Sequence, residues 1–171
     1  MTTSKERPEG APRKPSNAEL LLMPKQLLSL FAAPSVGRLT NLFPRWLNRK
    51  VESSGSITGP RVMLMWLLSR WEQPTMGQVA DMLDLTPRAI SRLADGLEND
   101  GLIKRTAKPE DGRVFTIQLT QKGKVKFKEV ESVLKPELAS LFSCLSAQEL
   151  RTFIKTIEKL TDHMKSQIDE G

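Results

Sequence analysis

"LTPRAISRLADGLENDGLI", residues 85–103, reads as one helix with two faces and a hard stop. Thr86 suits the N-cap, and Pro87 suits the first helical position, where no amide hydrogen is missed. Ile90, Leu93, Ala94 and Leu97 recur at i, i+3, i+4 and i+7, which makes one apolar stripe. Arg88, Ser91, Arg92 and Asp95 fall at the same spacing on the opposite side. Gly101 then closes the helix as a left-handed C-terminal residue does.

The neighbours decide what this helix belongs to. Upstream, "TMGQVADMLDL" places Met76, Val79, Ala80 and Leu83 at helical spacing, and Asp84-Leu85 leads directly to Thr86. Two short helices joined by so tight a turn form a helix-turn-helix. Downstream, "LIKRT" and "RVFTIQL" read as strands. In the second, Phe115, Ile117 and Leu119 alternate with Thr116 and Gln118. Between them "AKPEDG" carries Pro109 and then Asp111-Gly112, a strong hairpin turn signal. "PRVMLMWLLSRW" (60–71), apolar nearly all round, supplies the central helix. The expected fold is mainly α with a small β-hairpin wing: a winged helix-turn-helix over 60–122, its wing at 102–119.

Helical segments flank this unit. Leu27, Leu28, Leu30 and Phe31 predict a short apolar helix broken at Pro34. A second run carries Val36, Leu39, Leu42, Phe43, Trp46 and Leu47, with Pro44 expected to kink or split it. "ESSGSITGP" (52–60) is a loop. After Thr120, Phe127, Val130, Val133, Leu134, Leu138 and Leu141 mark one long helix, with a kink expected at Pro136. "SAQE" (146–149) is a capping box, and Leu150, Phe153, Ile154, Ile157, Leu160 and Met164 stripe the last helix. These stripes exceed what a winged helix needs to cover itself, so 20–51 and 124–168 are expected to dimerise the chain. Residues 1–19 hold three prolines and seven charges but no Leu, Ile, Val, Phe or Trp. Such a composition predicts a disordered tail, with a single domain over 20–171.

Composition bounds the rest. The chain has 171 residues, 39% hydrophobic and 27% charged, as an ordinary globular domain has. The longest apolar run, Val62 to Leu68, is far short of the about 20 residues of a membrane span. One cysteine allows no internal disulfide, and "MTTSKERPEG" lacks the apolar core of a secretory signal. The expectation is a cytoplasmic protein without membrane contact. Net charge is +6, yet residues 75–123 balance seven basic against seven acidic groups. What points to a nucleic-acid partner is therefore how charges divide between faces, not their total.

With the pieces in order, the chain resembles regulators of the multiple antibiotic resistance (MarR) family. The likeness lies in "MGQVADMLDLTPRAISRLADGLENDGLIKR", the wing "KPEDGRVFTIQLTQKG" and "LSAQEL" at the last helix, within roughly residues 35–165. The resemblance implies a homodimeric winged-helix binder of double-stranded DNA, dimerised through its terminal helices. It also implies repression of genes and release from DNA by small aromatic or phenolic molecules. Two positions depart from the family: Gly96 stands where a basic residue is usual, and Gly112 replaces a charged one between Asp111 and Arg113.

Arg88, Ser91 and Arg92 lie in the half of the second helix that a helix-turn-helix inserts into the major groove. Thr86 and Pro87 sit at the same end, within reach of backbone or a thymine methyl. Arginine donates two hydrogen bonds to guanine O6 and N7, although arginines also occupy solvated helix faces. The resemblance implies that Arg113 reaches the minor groove or its phosphates and that Asp111 holds the wing's shape. Asp95 is open to pairing with Arg92 or Arg88. Met63, Met65, Trp66, Trp46 and Trp71 are candidates to line a ligand cavity, with Arg45 or Arg70 meeting an anionic ligand. Methionine and tryptophan at helical spacing are more often plain core. The working ligand set is Arg45, Trp46, Met63, Trp66 and Arg70. Cys144 has no basic neighbour in sequence and reads as inert. His163 stands alone, so no metal or catalytic constellation forms, and neither cofactor nor enzymatic activity is expected. The rival functions are a winged helix used only for protein contact and an RNA binder. The RNA binder is disfavoured because the outer helix face lacks an aromatic residue for base stacking.

Overall fold

In a computed structural model that describes Arg13 and residues 15–52 and 57–170, seven helices and one hairpin follow the order α1, α2, α3, α4, α5, β1, β2, α6, α7. α1 is Asn17–Leu22 and α2 Lys25–Val51. α3 is Gly59–Arg70, α4 Met76–Leu83 and α5 Pro87–Asn99. β1 is Ile103–Lys108 and β2 Asp111–Leu119. α6 is Gln121–Leu141, followed by a 3-10 turn at Phe142–Cys144 and by α7, Ala147–Asp169. The chain groups into two compact units whose boundary falls inside α2, between Arg45 and Trp46, where the sequence reading had a single domain over 20–171.

In the first unit the last residues of the tail expected over 1–19 are ordered. Ser16 caps α1 through its hydroxyl and Glu19 answers from the third position, so residues 17–19 are helical. Residues 1–12 and 14, like 53–56 of the expected loop, lie outside the described residues. The break expected at Pro34 is absent: α2 runs through Pro34 and Pro44 alike. A proline removes one amide donor and leaves the other bonds of so long a helix in place. The adjacent Ser35 hydroxyl donates to the Phe31 carbonyl at 2.9 Å. α6 likewise continues through Pro136.

The second unit holds the core. Val62, Leu64, Met65, Leu67 and Leu68 of α3 pack with Val79, Ile90, Ala94, Leu97, Ile103, Ile117, Phe127, Val130 and Leu134. α3 is not buried all round, because Met63 and Trp66 face outward. β1 and β2 are antiparallel, pairing Ile103 with Leu119 through Ala107 with Phe115. The corner is Pro109-Glu110, two residues before the expected Asp111-Gly112. Lys108 pairs with Asp111, so Asp111 and Gly112 already belong to β2, and residues 112–114 stand outside the regular ladder. An isolated bridge between Thr75 and Thr116 adds a third short edge, with Ile117 N–H donating to Pro74 carbonyl at 3.0 Å. No helix among the described residues is long and apolar enough to cross a membrane.

Candidate nucleic-acid interface

The helix-turn-helix is built from local signals. Thr75 and Gln78 form a capping box at the start of α4. Asp84 ends α4 in the left-handed region, φ 51°, and its N–H returns to Ala80 and Asp81 carbonyls. Three residues later α5 begins, with Thr86 Oγ1 accepting from Ala89 N–H at 3.2 Å and Pro87 in the first turn. Ile90, Ala94 and Leu97 are fully buried, and Gly101 stops the helix at φ +69°. The turn is therefore specified at Asp84, Thr86 and Pro87.

What α5 leaves outside is the face expected from its spacing. Thr86, Pro87, Arg88 and Arg92 are exposed and Ser91 is half-buried. Among the described residues, neither Arg88 nor Arg92 has an acidic partner. Arg113 is exposed on β2 and is also without one. Asp111 Oδ1 accepts from Arg113 N–H at 3.0 Å, so this carboxylate shapes the chain just past the hairpin corner. One groove brings Ser91 of α5 and Arg113 of the wing together, floored by Thr75, Gly77 and Val114.

Arg105 behaves in the opposite way. It projects from β1 onto the last turns of α5, with Nε 2.8 Å from Glu98 Oε2 and Nη2 2.5 Å from Asp95 Oδ1. Glu98 also accepts from Arg105 N–H at 3.1 Å. The guanidinium holds the Glu98 carboxyl below its ordinary range, against the opposing effect of burial. Asp95 is thus partnered by Arg105 rather than by Arg92 or Arg88, which leaves those two uncompensated. The wing and α5 are one body, tied by charge-assisted bonds.

The C-terminal end of α5 is held from two more elements. Arg61 of α3 reaches Asp100 at 2.8 Å by crossing Gly96, where a β-carbon would sit 2.2 Å from Arg61 Nη2. The Lys122 ammonium donates to Asp100 carbonyl at 2.7 Å, and Thr120 Oγ1 donates to Gly101 carbonyl at 2.7 Å. Gly123 lies so close that a β-carbon would fall 1.9 Å from the Leu102 carbonyl oxygen. Sequence reading missed Arg61, Arg105, Lys122 and the Thr75 box. The "TMGQ" pattern carried a signal for the box; the others pair across elements and carried none.

Within the second unit the ligand candidates do not share one pocket. Arg45 is exposed in the first unit, whereas Trp46 is half-buried in the second. Met63 and Trp66 are exposed, and the Arg70 guanidinium lies 5.1 Å from the Trp66 ring centre. Arg70 alone of the five borders an open cavity of about 710 Å³ with Trp71, Phe127, Lys128 and Glu131. No group of three metal-binding side chains occurs among the described residues.

Comparison with known proteins agrees with this architecture. The model of the MarR family matches residues 57–115, from just before α3 to the wing. Over that stretch the chain is similar to the MarR family. The HTH-type transcriptional repressor MdtR of Bacillus subtilis is 30% identical over 94 residues, covering 55% of this chain and 61% of that repressor. The chain thus matches less than two thirds of that relative's length. Among solved MarR-like structures, the transcriptional regulator BldR of Sulfolobus solfataricus superposes with a TM-score of 0.74 at 19% identity. That match covers 82% of this chain and 99% of BldR. A mutant of Escherichia coli MarR, solved with operator DNA, gives 0.70 at 19% identity over 81% of this chain and 99% of its own. At such identities the likeness establishes the winged-helix fold alone.

Proposed function

We propose that this chain is a transcriptional repressor that binds double-stranded DNA sequence-specifically as a homodimer on a pseudo-palindromic site. It works in the cytoplasm and catalyses no reaction. The carrying observation is the division among arginines of the reading domain. Arg61 and Arg105 are paired and mostly covered, whereas Arg88, Arg92 and Arg113 are exposed and, among the described residues, without acidic partners on the two elements a winged helix offers to DNA. That the similar proteins include transcriptional repressors and regulators supports the same reading.

The second copy covers α7. Ile154, Ile157, Leu160 and Met164 are each 41–50% exposed along one stripe, more apolar surface than a solvated helix carries. Arg88, Ser91 and Arg92, with Thr86 and Pro87 at the helix start, enter the major groove. Arg113 follows the minor groove or its phosphates, and Asp111 shapes the wing that carries it. A small anionic aromatic ligand fits the cavity beside Arg70, Trp71 and Lys128, with Trp66 stacked under Arg70. Trp46 and Met63 complete that site only if the dimer brings them to it.

Measuring Arg92→Ala and Arg113→Ala on preferred and scrambled duplexes across a salt series tests the assignment. Arg92→Ala should cost roughly 1–3 kcal/mol on the preferred duplex and much less on random DNA. Arg113→Ala should weaken both evenly and flatten the log–log salt slope by about 1 per contact, about 2 per dimer. Half-sites should lie about 10 base pairs apart. Equal losses on both duplexes for both variants would reduce the α5 face to a merely charged surface.

A further inference from the structure

The two ends of α5 are held very differently. Its N-terminal half, which carries Arg88, Ser91 and Arg92, is fixed by its own cap and its apolar stripe. Its last turn is gripped from three directions: Arg61 from α3, Arg105 from β1, and Lys122 from α6. The stripe seats the whole helix on the core, and the grips on its last turn add a direction, so they help set the angle at which the N-terminal half is presented.

Arg61 differs from the other two grips because it needs a gap. Its guanidinium lies across Gly96, with Nη2, Cζ and Nε at 2.2, 3.0 and 3.2 Å from where a β-carbon would be. Glycine inside an exposed helix costs about 1 kcal/mol relative to alanine, and here the missing side chain is the seat of an arginine from another helix. Gly96 also lies on the ridge of Arg88 and Arg92, one helical turn beyond Arg92. Only 22% of the Arg61 side chain is exposed, and its charge is spent on Asp100. It is therefore poorly placed to serve as a phosphate contact.

We propose that Arg61, seated on Gly96 and paired with Asp100, is a positioning residue for DNA recognition. It sets the angle at which α5 presents Arg88, Ser91 and Arg92, and so governs sequence discrimination without touching DNA. This rests on the DNA-binding function proposed above. Arg61 is thirty-one positions from Arg92 in sequence and belongs to a different helix.

The test combines binding with a thermal cycle on the full chain. Arg61→Ala should reduce the ratio of preferred to scrambled affinity by roughly threefold to thirtyfold, the range for residues that couple to a site without contacting it. Its salt slope should match wild type, since no phosphate contact is lost. Arg61→Lys should recover part of the ratio by restoring charge toward Asp100. Gly96→Ala should lower both melting temperature and discrimination on its own. In an Arg61→Ala background the same change should be neutral or stabilising, because the clash has gone. A salt slope flattened by Arg61→Ala would make Arg61 a direct contact and overturn the inference. Unchanged discrimination, or additive Gly96→Ala and Arg61→Ala effects, would overturn it as well. A wild-type chain that binds neither duplex removes the DNA-binding function and this inference together. A discriminating wild type with an equally discriminating Arg61→Ala removes this inference alone.

Discussion

α5 and α7 carry the same kind of apolar stripe and meet opposite fates. In α5, Ile90, Ala94 and Leu97 have no exposed surface. In α7, Ile154, Ile157 and Leu160 stand at 48%, 41% and 42% exposure, and no residue of the helix is buried. Both helices are well capped, α5 by Thr86 and α7 by the Ser146–Glu149 box. Periodicity therefore declares that a helix needs a partner; it does not say whether that partner is in the same chain. The stripe that closes inward builds the reading domain, and the one that stays outward is what a second copy would cover.

This contrast can be broken most forcefully in the core. Leu97→Ala should cost about 2–5 kcal/mol, seen as a lower melting temperature at every protein concentration. Ile157→Glu should act through association instead. Sedimentation should show a shift from dimer to monomer, and the melting temperature should fall only at concentrations where wild type is dimeric. Loss of stability at high dilution, where both proteins are monomers, would place α7 in the fold of the single chain and erase the distinction.

The end groups of the two helices sharpen it further. Glu98 near the end of α5 is held below the ordinary glutamate range chiefly by Arg105, and Glu149 at the start of α7 chiefly by hydrogen bonds from Ser146. A carboxyl whose folded pKa is depressed contributes stability above its unfolded pKa and loses it as pH falls through the folded value. Both contributions should thus be complete at neutral pH and fade below about pH 4. Glu98→Gln should cost about 1 kcal/mol or less at pH 7. High salt should shrink the effect of Glu98→Gln, whose partner is charged, and leave that of Glu149→Gln, whose partner is neutral. Melting curves of both variants against pH at two salt concentrations check this. An equal response to salt would show that the two carboxylates are held by the same force.

The smallest effect is expected where α6 meets α7. Cys144 is exposed, and among the described residues its one polar contact is a 3.7 Å approach to the Leu141 carbonyl. Cys144→Ser should leave DNA affinity and its response to peroxide unchanged, since no basic residue adjoins it in sequence between Phe142 and Gln148. Oxidant-driven release from DNA that disappears in Cys144→Ser would contradict this.

The fold was legible wherever short-range periodicity and capping act. The α5 stripe, the Thr86-Pro87 start, the Gly101 stop and the alternation of Phe115, Ile117 and Leu119 can each be read within a few residues. What escaped is long-range. The partners of Arg105 lie seven and ten residues away, across the close of a helix, and Arg61 finds Asp100 thirty-nine positions on. Gly96 stands in the sequence only as a departure from the family pattern, because the arginine that occupies its space belongs to α3. Pro34 looked like a break because its local cost was weighed without the rest of a 27-residue helix. The candidate DNA face was legible for the same reason as the stripe, since it is that stripe's complement. The ligand set was not, because a cavity is defined by elements distant in sequence.

The hairpin's irregularity bears on how such a domain can change over generations. From Ile103 to Ala107 the two strands pair without interruption, and Ile103, Ile117 and Leu119 are locked into the core. Beyond Ala107 the register shifts, and residues 112–114 have no regular opposite number. Insertions or deletions in that short arc alter the length of the arm while leaving every buried position in phase. An arm whose reach varies independently of its root lets a lineage fit new grooves by changing chain length at the tip, with no rewriting of the interior that holds it up.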